Sequence, residues 1–291
     1  MYQILKKHKL ISVHLMVIIL GLTGILGKLI SIDTIPLVWY RMGLAFLALA
    51  IFLFFKKQLF SVNQKDFFGL LGVGALVTIH WLCFFESIKV STVSVAVVCL
   101  STSSLFSALI EPIFFKRKLL IYEVIMGVVV VCALAFVMGT EAKYLWGYIY
   151  GIMSALLGTL FTLFNAKYIK KVGAAQITMI EMLAGLLIIS CVLLFQQNIT
   201  FSSLAISTID FCYLIILSVL CTAIVFVWMT EIMRHISPYS LIMAINLEPI
   251  YSIILALIIF GDSELMSSSF YIGSSVIIGV VFLEGYLKNK Q

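Results

Sequence analysis

Charge is scarce in these 291 residues: Asp, Glu, Lys and Arg together make up 11% of the chain, against about 25% in soluble domains. A chain so poor in charge and 63% hydrophobic, with a mean hydropathy of +1.19, has too much apolar surface for one water-soluble core. Soluble dinucleotide folds, nucleic-acid binders and secreted scaffolds are disfavoured together. Cysteine supplies no framework. Cys83, Cys99, Cys132, Cys191, Cys212 and Cys221 stand singly in apolar stretches without a C-x-x-C pair. That spacing indicates neither zinc nor disulfides, only small buried hydrophobes. There is no H-E-x-x-H, the four histidines (His8, His14, His80, His235) are far apart, and no G-x-x-x-x-G-K loop exists for a nucleotide. No cofactor, metal or enzymatic activity is therefore expected. An intramembrane enzyme, or a receptor or scaffold without transport activity, stands as the alternative.

Long apolar runs are what the chain does have. A bilayer core of about 30 Å asks for about 20 apolar residues per helix. Ten runs meet this, at 12–31, 35–55, 67–88, 92–115, 120–139, 146–167, 175–195, 209–231, 238–260 and 268–287. Their length favours helices over the short alternating strands of a barrel. Connections are short, and the longest carries a glycosylation-type triplet, Asn198-Ile199-Thr200. Lys6, Lys7 and Lys9 before the first run imitate a signal peptide, but no small-residue cleavage site follows, so the run is read as a retained helix. Fifteen of the 19 Lys and Arg residues fall at the two ends and in alternate loops: Lys6, Lys7, Lys9; Lys56, Lys57, Lys65; Lys116, Arg117, Lys118; Lys167, Lys170, Lys171; Arg234; and Lys288, Lys290. The opposite loops hold only Lys89 and Lys143. The positive-inside rule then places both termini in the cytoplasm.

Shifting the chain by 146 residues aligns the fourth and fifth runs with the ninth and tenth. Ten of the 49 positions from Ser91 to Gly139 are identical, including Ser91 with Ser237, Phe114 with Phe260 and Gly127 with Gly273. Five spans per half is an odd number, so the second half must enter the membrane inverted. The basic turn Lys116-Arg117-Lys118 accordingly meets the acidic Asp262-Ser263-Glu264. The expected fold is an all-α integral membrane protein of ten transmembrane helices, N-in/C-in, in two inverted five-helix repeats, residues 1–143 and 144–291. Such repeats are characteristic of carriers with a central site.

Several stretches add a resemblance: Lys28, Trp39-Tyr40-Arg41, the serine-led Ser91 to Leu119, Ile236-Ser237-Pro238, Leu247-Glu248-Pro249 and Phe260-Gly261-Asp262. The chain resembles the EamA-like family of the drug/metabolite transporter superfamily over nearly its whole length. The resemblance implies a bacterial inner-membrane secondary transporter that exports, or facilitates movement of, amino acids or similar small metabolites by alternating access. Its partners would be a small-molecule substrate and the lipid bilayer, with protons as a candidate coupling ion, no nucleic acid, and a monomer or dimer as the assembly. One departure stands out. The family pattern often has proline where this chain has Ser103, and Pro112 follows nine residues later. A kink is therefore expected near the cytoplasmic end of the fourth run.

Ionisable groups inside spans are costly and usually face a cavity or a partner. Glu248 is the deepest acid. It reads either as a proton-titrating or amine-binding carboxylate, or as a cap for backbone freed beside Pro249, the latter being favoured. His80, beside Trp81 and one turn before Phe84, is a proton-exchange candidate or a packed histidine. Arg41, placed near the outer face, is a candidate for a substrate carboxylate or for a protein partner. Glu111 and Glu181 are expected to snorkel to the cytoplasmic side, and Lys28, Glu86 and Glu231 to sit at interfaces. Ser94, Ser101, Ser104 and Glu111 form a polar stripe at helical spacing. Asn165, Thr162 and Asn246 are further polar candidates, with Trp228 and Phe164 as aromatic walls. Gly21, Gly24 and Gly27, and Gly147, Gly151, Ser154 and Gly158, give the first and sixth runs small packing faces.

Overall fold

The computed structural model describes residues 9–59, 61–195 and 204–288. The triplet Asn198-Ile199-Thr200 and the lysines Lys6, Lys7 and Lys290 lie outside the described residues. The apolar runs become helices α1 (Lys9–Leu29), α2 (Thr34–Phe55), α3 (Gln64–Val90), a broken α4 (α4a, Val93–Leu100; α4b, Ser103–Phe115) and α5 (Ile121–Thr140). Then follow α6 (Leu145–Tyr168), α7 (Ala174–Phe195), α8 (Thr208–Ile232), a broken α9 (α9a, Pro238–Ile245; α9b, Glu248–Phe260) and α10 (Ser268–Lys288). Helices α2 to α9 are long and apolar enough to cross a membrane, whereas the apolar parts of α1 and α10, His14–Leu29 and Ser268–Leu283, are shorter. Large apolar side chains such as Phe55, Ile113, Leu194 and Phe195 face outward. A multi-pass membrane protein is the result.

Helix starts follow local chemistry. Side chains of Asn63, Thr92, Ser207 and Ser237 accept from the N–H groups of Asp66, Val95, Asp210 and Ser240 at 2.9, 3.1, 3.0 and 3.2 Å. Each satisfies a donor that a helix leaves without an internal partner. Pro238 follows its cap in the first turn, where its missing N–H costs nothing.

Helices α4 and α9 break in the same way, and every bound of α9a and α9b is that of α4a and α4b shifted by 145 residues. The capping residues Thr92 and Ser237 keep that shift, as do Lys116 and Gly261, which end the two helices with φ of 52° and 54°. Across these helices the structural register is one residue off the 146 suggested by identities. The expected kink at Pro112 is also corrected: Pro112 lies inside α4b, and the break falls at Ser101–Thr102. Hydroxyls cause it. Thr102 Oγ1 donates to the Cys99 carbonyl at 2.7 Å and Ser104 Oγ to that of Ser101 at 2.8 Å, while the backbone tightens to i→i−3 bonds from Ser101 to Val98 and from Thr102 to Cys99. Side-chain bonds of this kind compete with the helical ladder.

The two broken helices lie against each other, α4a on α9b and α4b on α9a, so they run antiparallel. Equivalent helices of the two halves also touch, α2 with α7 and α5 with α10. Small residues allow the close approaches. A Cβ on Gly151 of α6 would fall 2.6 Å from the Cβ of Cys99 in α4a, and one on Gly21 of α1 would fall 3.0 Å from Ser252 Oγ in α9b. Both set the first helix of one half against the broken helix of the other, α6 on α4a and α1 on α9b.

Candidate functional site

One cavity opens where the two breaks meet. Leu100 and Ser103 flank the α4 break and line it; Ile245 and Glu248 flank the α9 break and line it at the positions 145 residues on. Ser103 Oγ donates to Asn246 Oδ1 at 3.3 Å, tying break to break. Walls come from α1 (Leu20, Thr23), α2 (Arg41), α3 (His80, Trp81, Phe84), α6 (Gly158, Thr159, Phe161, Thr162) and α8 (Phe226, Met229). The cavity volume is about 90 Å³, which suits a small solute in this conformation.

Polar groups in this apolar chamber are few and fixed. Arg41 is 1% exposed. Its guanidinium lies 3.7 Å from the centre of the Trp81 ring, a cation–π contact of about 2 kcal/mol when desolvated. Its Nε donates to Thr222 Oγ1 at 2.8 Å, and one terminal nitrogen, Nη1, has no protein partner. Glu248 is close enough for its charge to act on Arg41, yet no ion pair joins them. No backbone N–H donates to Glu248, so the capping role expected beside Pro249 is not found. His80 Nδ1 donates to the Ser154 carbonyl at 2.8 Å, which leaves Nε2 as the acceptor of the neutral ring. Its ring packs edge-on to Phe161 at 5.3 Å. A cationic donor, an acid and an imidazole on one apolar chamber can hold both ends of a zwitterion or pass a proton.

The candidates from sequence divide cleanly. Arg41, His80, Trp81, Phe84 and Glu248 share the cavity; Ser101, Ser104, Asn165, Trp228 and Asn246 do not line it. The serine stripe fails because the break at Ser101–Thr102 interrupts the helical period, so Ser103 turns to the cavity instead. Asn165 turns to Glu181. Two placements are also corrected. Arg41 belongs to the central chamber. Glu111 and Glu181, at 3% and 0% exposure, do not snorkel but are enclosed by protein. Thr222, Phe161 and Phe226 carry no signal in the sequence, and Ser103 stands out there only as a missing proline. They are ordinary residues in apolar runs, and only the helix rotations bring them inward.

Each end of the α4–α9 pair carries a carboxylate that caps the other half. Glu264, fully buried just beyond α9b, accepts from Val93 N, Ser94 N and Ser94 Oγ at 2.9, 3.1 and 2.9 Å and pairs with Lys28 at 2.7 Å. Lys28, still a quarter exposed at the end of α1, is thereby the partner of this acid. At the opposite end Glu111 of α4b accepts from Tyr239 N of α9a at 2.9 Å and sits 3.5 Å from Arg117, which also pairs with Glu123 at 2.6 Å. Acids at helix N-termini complement the helix dipole. Both caps join one half to the other.

A membrane-spanning helical fold whose two halves enclose one central chamber defines the class of small-molecule membrane transporters. The model of the EamA-like transporter family matches residues 9–139 and again 145–284, and the chain belongs to that family. A solved crystal structure, described simply as that of a protein, aligns with 96% of this chain and 97% of its own at a TM-score of 0.70 and 14% identity. It shares the fold. No curated protein matches the chain.

Proposed function

We propose that the protein is a secondary transporter of amino acids or similar small metabolites, working by alternating access between inverted halves, residues 1–143 and 144–291. The observation that carries this reading is the pair of matched helix breaks lining one chamber. Discontinuous helices at the interface of inverted repeats are how carriers build a central site. Ten helices cross the bacterial inner membrane with both termini cytoplasmic, a topology supported by the alternation of Lys and Arg between loops. The two carboxylate caps then serve as opposed closures, Glu264 on Lys28 and the start of α4a outside, Glu111 on the start of α9a inside, one releasing while the other holds.

Arg41 and Glu248 support the substrate class. An unpaired guanidinium nitrogen and a carboxylate, both enclosed and not paired with each other, await a solute carrying the opposite charges. An amino-acid carboxylate on Arg41 and its ammonium on Glu248 satisfy both, with Trp81, Phe84 and Phe161 excluding water. Protons are the candidate coupling ion, exchanged at Glu248 or His80. Counterflow of a labelled amino-acid mixture into proteoliposomes, with and without a pH gradient, tests the reading. Saturable counterflow is expected, and its absence across the mixture rejects amino acids as substrates.

A further inference from the structure

The middle of α8 is a π-helix, Ile216–Ile224, set between two α-helical stretches. π-turns inside α-helices are rare and concentrate at functional sites. Here the widened turn has a visible consequence at Thr222, which is fully buried. Its hydroxyl donates to the Leu217 carbonyl, five residues back, at 2.7 Å. A threonine in a regular α-helix bonds the carbonyl three or four residues back. With its one proton committed to Leu217, the oxygen faces Arg41 only as an acceptor, and Arg41 Nε donates to it at 2.8 Å. Trp81 fixes the plane of the guanidinium and Thr222 fixes its rotation within that plane, so the terminal nitrogens, neither of them hydrogen-bonded to the protein, are the edge left for a ligand.

We infer that Thr222 is a positioning residue for recognition of the substrate carboxylate, acting through Arg41, and that the π-turn of α8 exists to supply it. The inference rests on the reading of Arg41 as the carboxylate site. Thr222→Val keeps the shape of the side chain but cannot accept from Nε, which frees the guanidinium to rotate. Thr222→Ser keeps the acceptor.

The test uses the full chain in proteoliposomes, with counterflow of labelled alanine measured against competing unlabelled alanine and alaninamide, which lacks the carboxylate. A bond to a charged donor of this kind is worth about tenfold in affinity. Thr222→Val is expected to raise the KM for alanine about tenfold with little change in maximal rate, to leave inhibition by alaninamide unchanged, and to be rescued by Thr222→Ser. Equal weakening of alanine and alaninamide, or an unchanged KM for alanine, overturns the inference. Should the valine variant fail to fold, Thr222→Ala carries the same expectations. Arg41→Gln separates the two levels. If it leaves the KM for alanine unchanged, the carboxylate site itself is wrong. If it raises the KM while the Thr222 variants do not, only the positioning role falls.

Discussion

At the scale of single residues, the chamber depends on a few polar groups that the chain keeps inside an apolar environment at a cost. Arg41 meets that cost with a ring face and one hydroxyl. Lysine offers charge without a planar fork, so Arg41→Lys should keep the protein folded yet raise the KM for a carboxylate solute severalfold, as read by counterflow kinetics. Glu248 has no competing backbone duty. Glu248→Gln should abolish the dependence of transport on a pH gradient while leaving counterflow measurable; an unchanged gradient dependence removes Glu248 from coupling. Arg41, His80 and Glu248 were legible in the sequence because polar groups within spans are rare enough to stand out. Thr222 and Ser103 were not, since hydroxyls are common in spans and most bond their own helix. Arg41 was legible as a candidate but not as central, because its depth depends on neighbours that a single run does not reveal.

At the scale of elements, the positions of the helices could be read from the apolar runs to within a few residues, because run length and capping chemistry are local. The breaks in α4 and α9 were harder. Pro249 advertised one of them, whereas the other rests on Thr102 and Ser104, and the visible Pro112 pointed to the wrong turn. Pro112→Ala should therefore preserve transport and leave thermal stability equal or higher, since alanine restores a backbone donor within α4b; loss of counterflow in that variant would make Pro112 the working hinge after all. The capping acids were read as loop or snorkelling residues because their partners lie in the other half of the chain. Glu264→Gln should lower stability by about 2 kcal/mol, seen as a fall in Tm in detergent, whereas Asp262→Asn, exposed two residues earlier, should leave Tm unchanged.

At the scale of the whole molecule, the presence of two repeats was legible in the aligned identities, but not their register across α4 and α9. Identities give 146, whereas caps, breaks and helix ends give 145. The difference matters because only the structural register pairs Leu100 with Ile245 and Ser103 with Glu248 around the chamber. Alternating access requires this chamber, set at two matched breaks, to open to each side of the membrane in turn. Ser103→Cys, in a chain whose six native cysteines are replaced, tests this with a membrane-impermeant thiol reagent applied from either side of oriented vesicles. Labelling from both sides is expected, with a transported solute raising one rate as it lowers the other. Labelling from one side only, unmoved by solute, would contradict it.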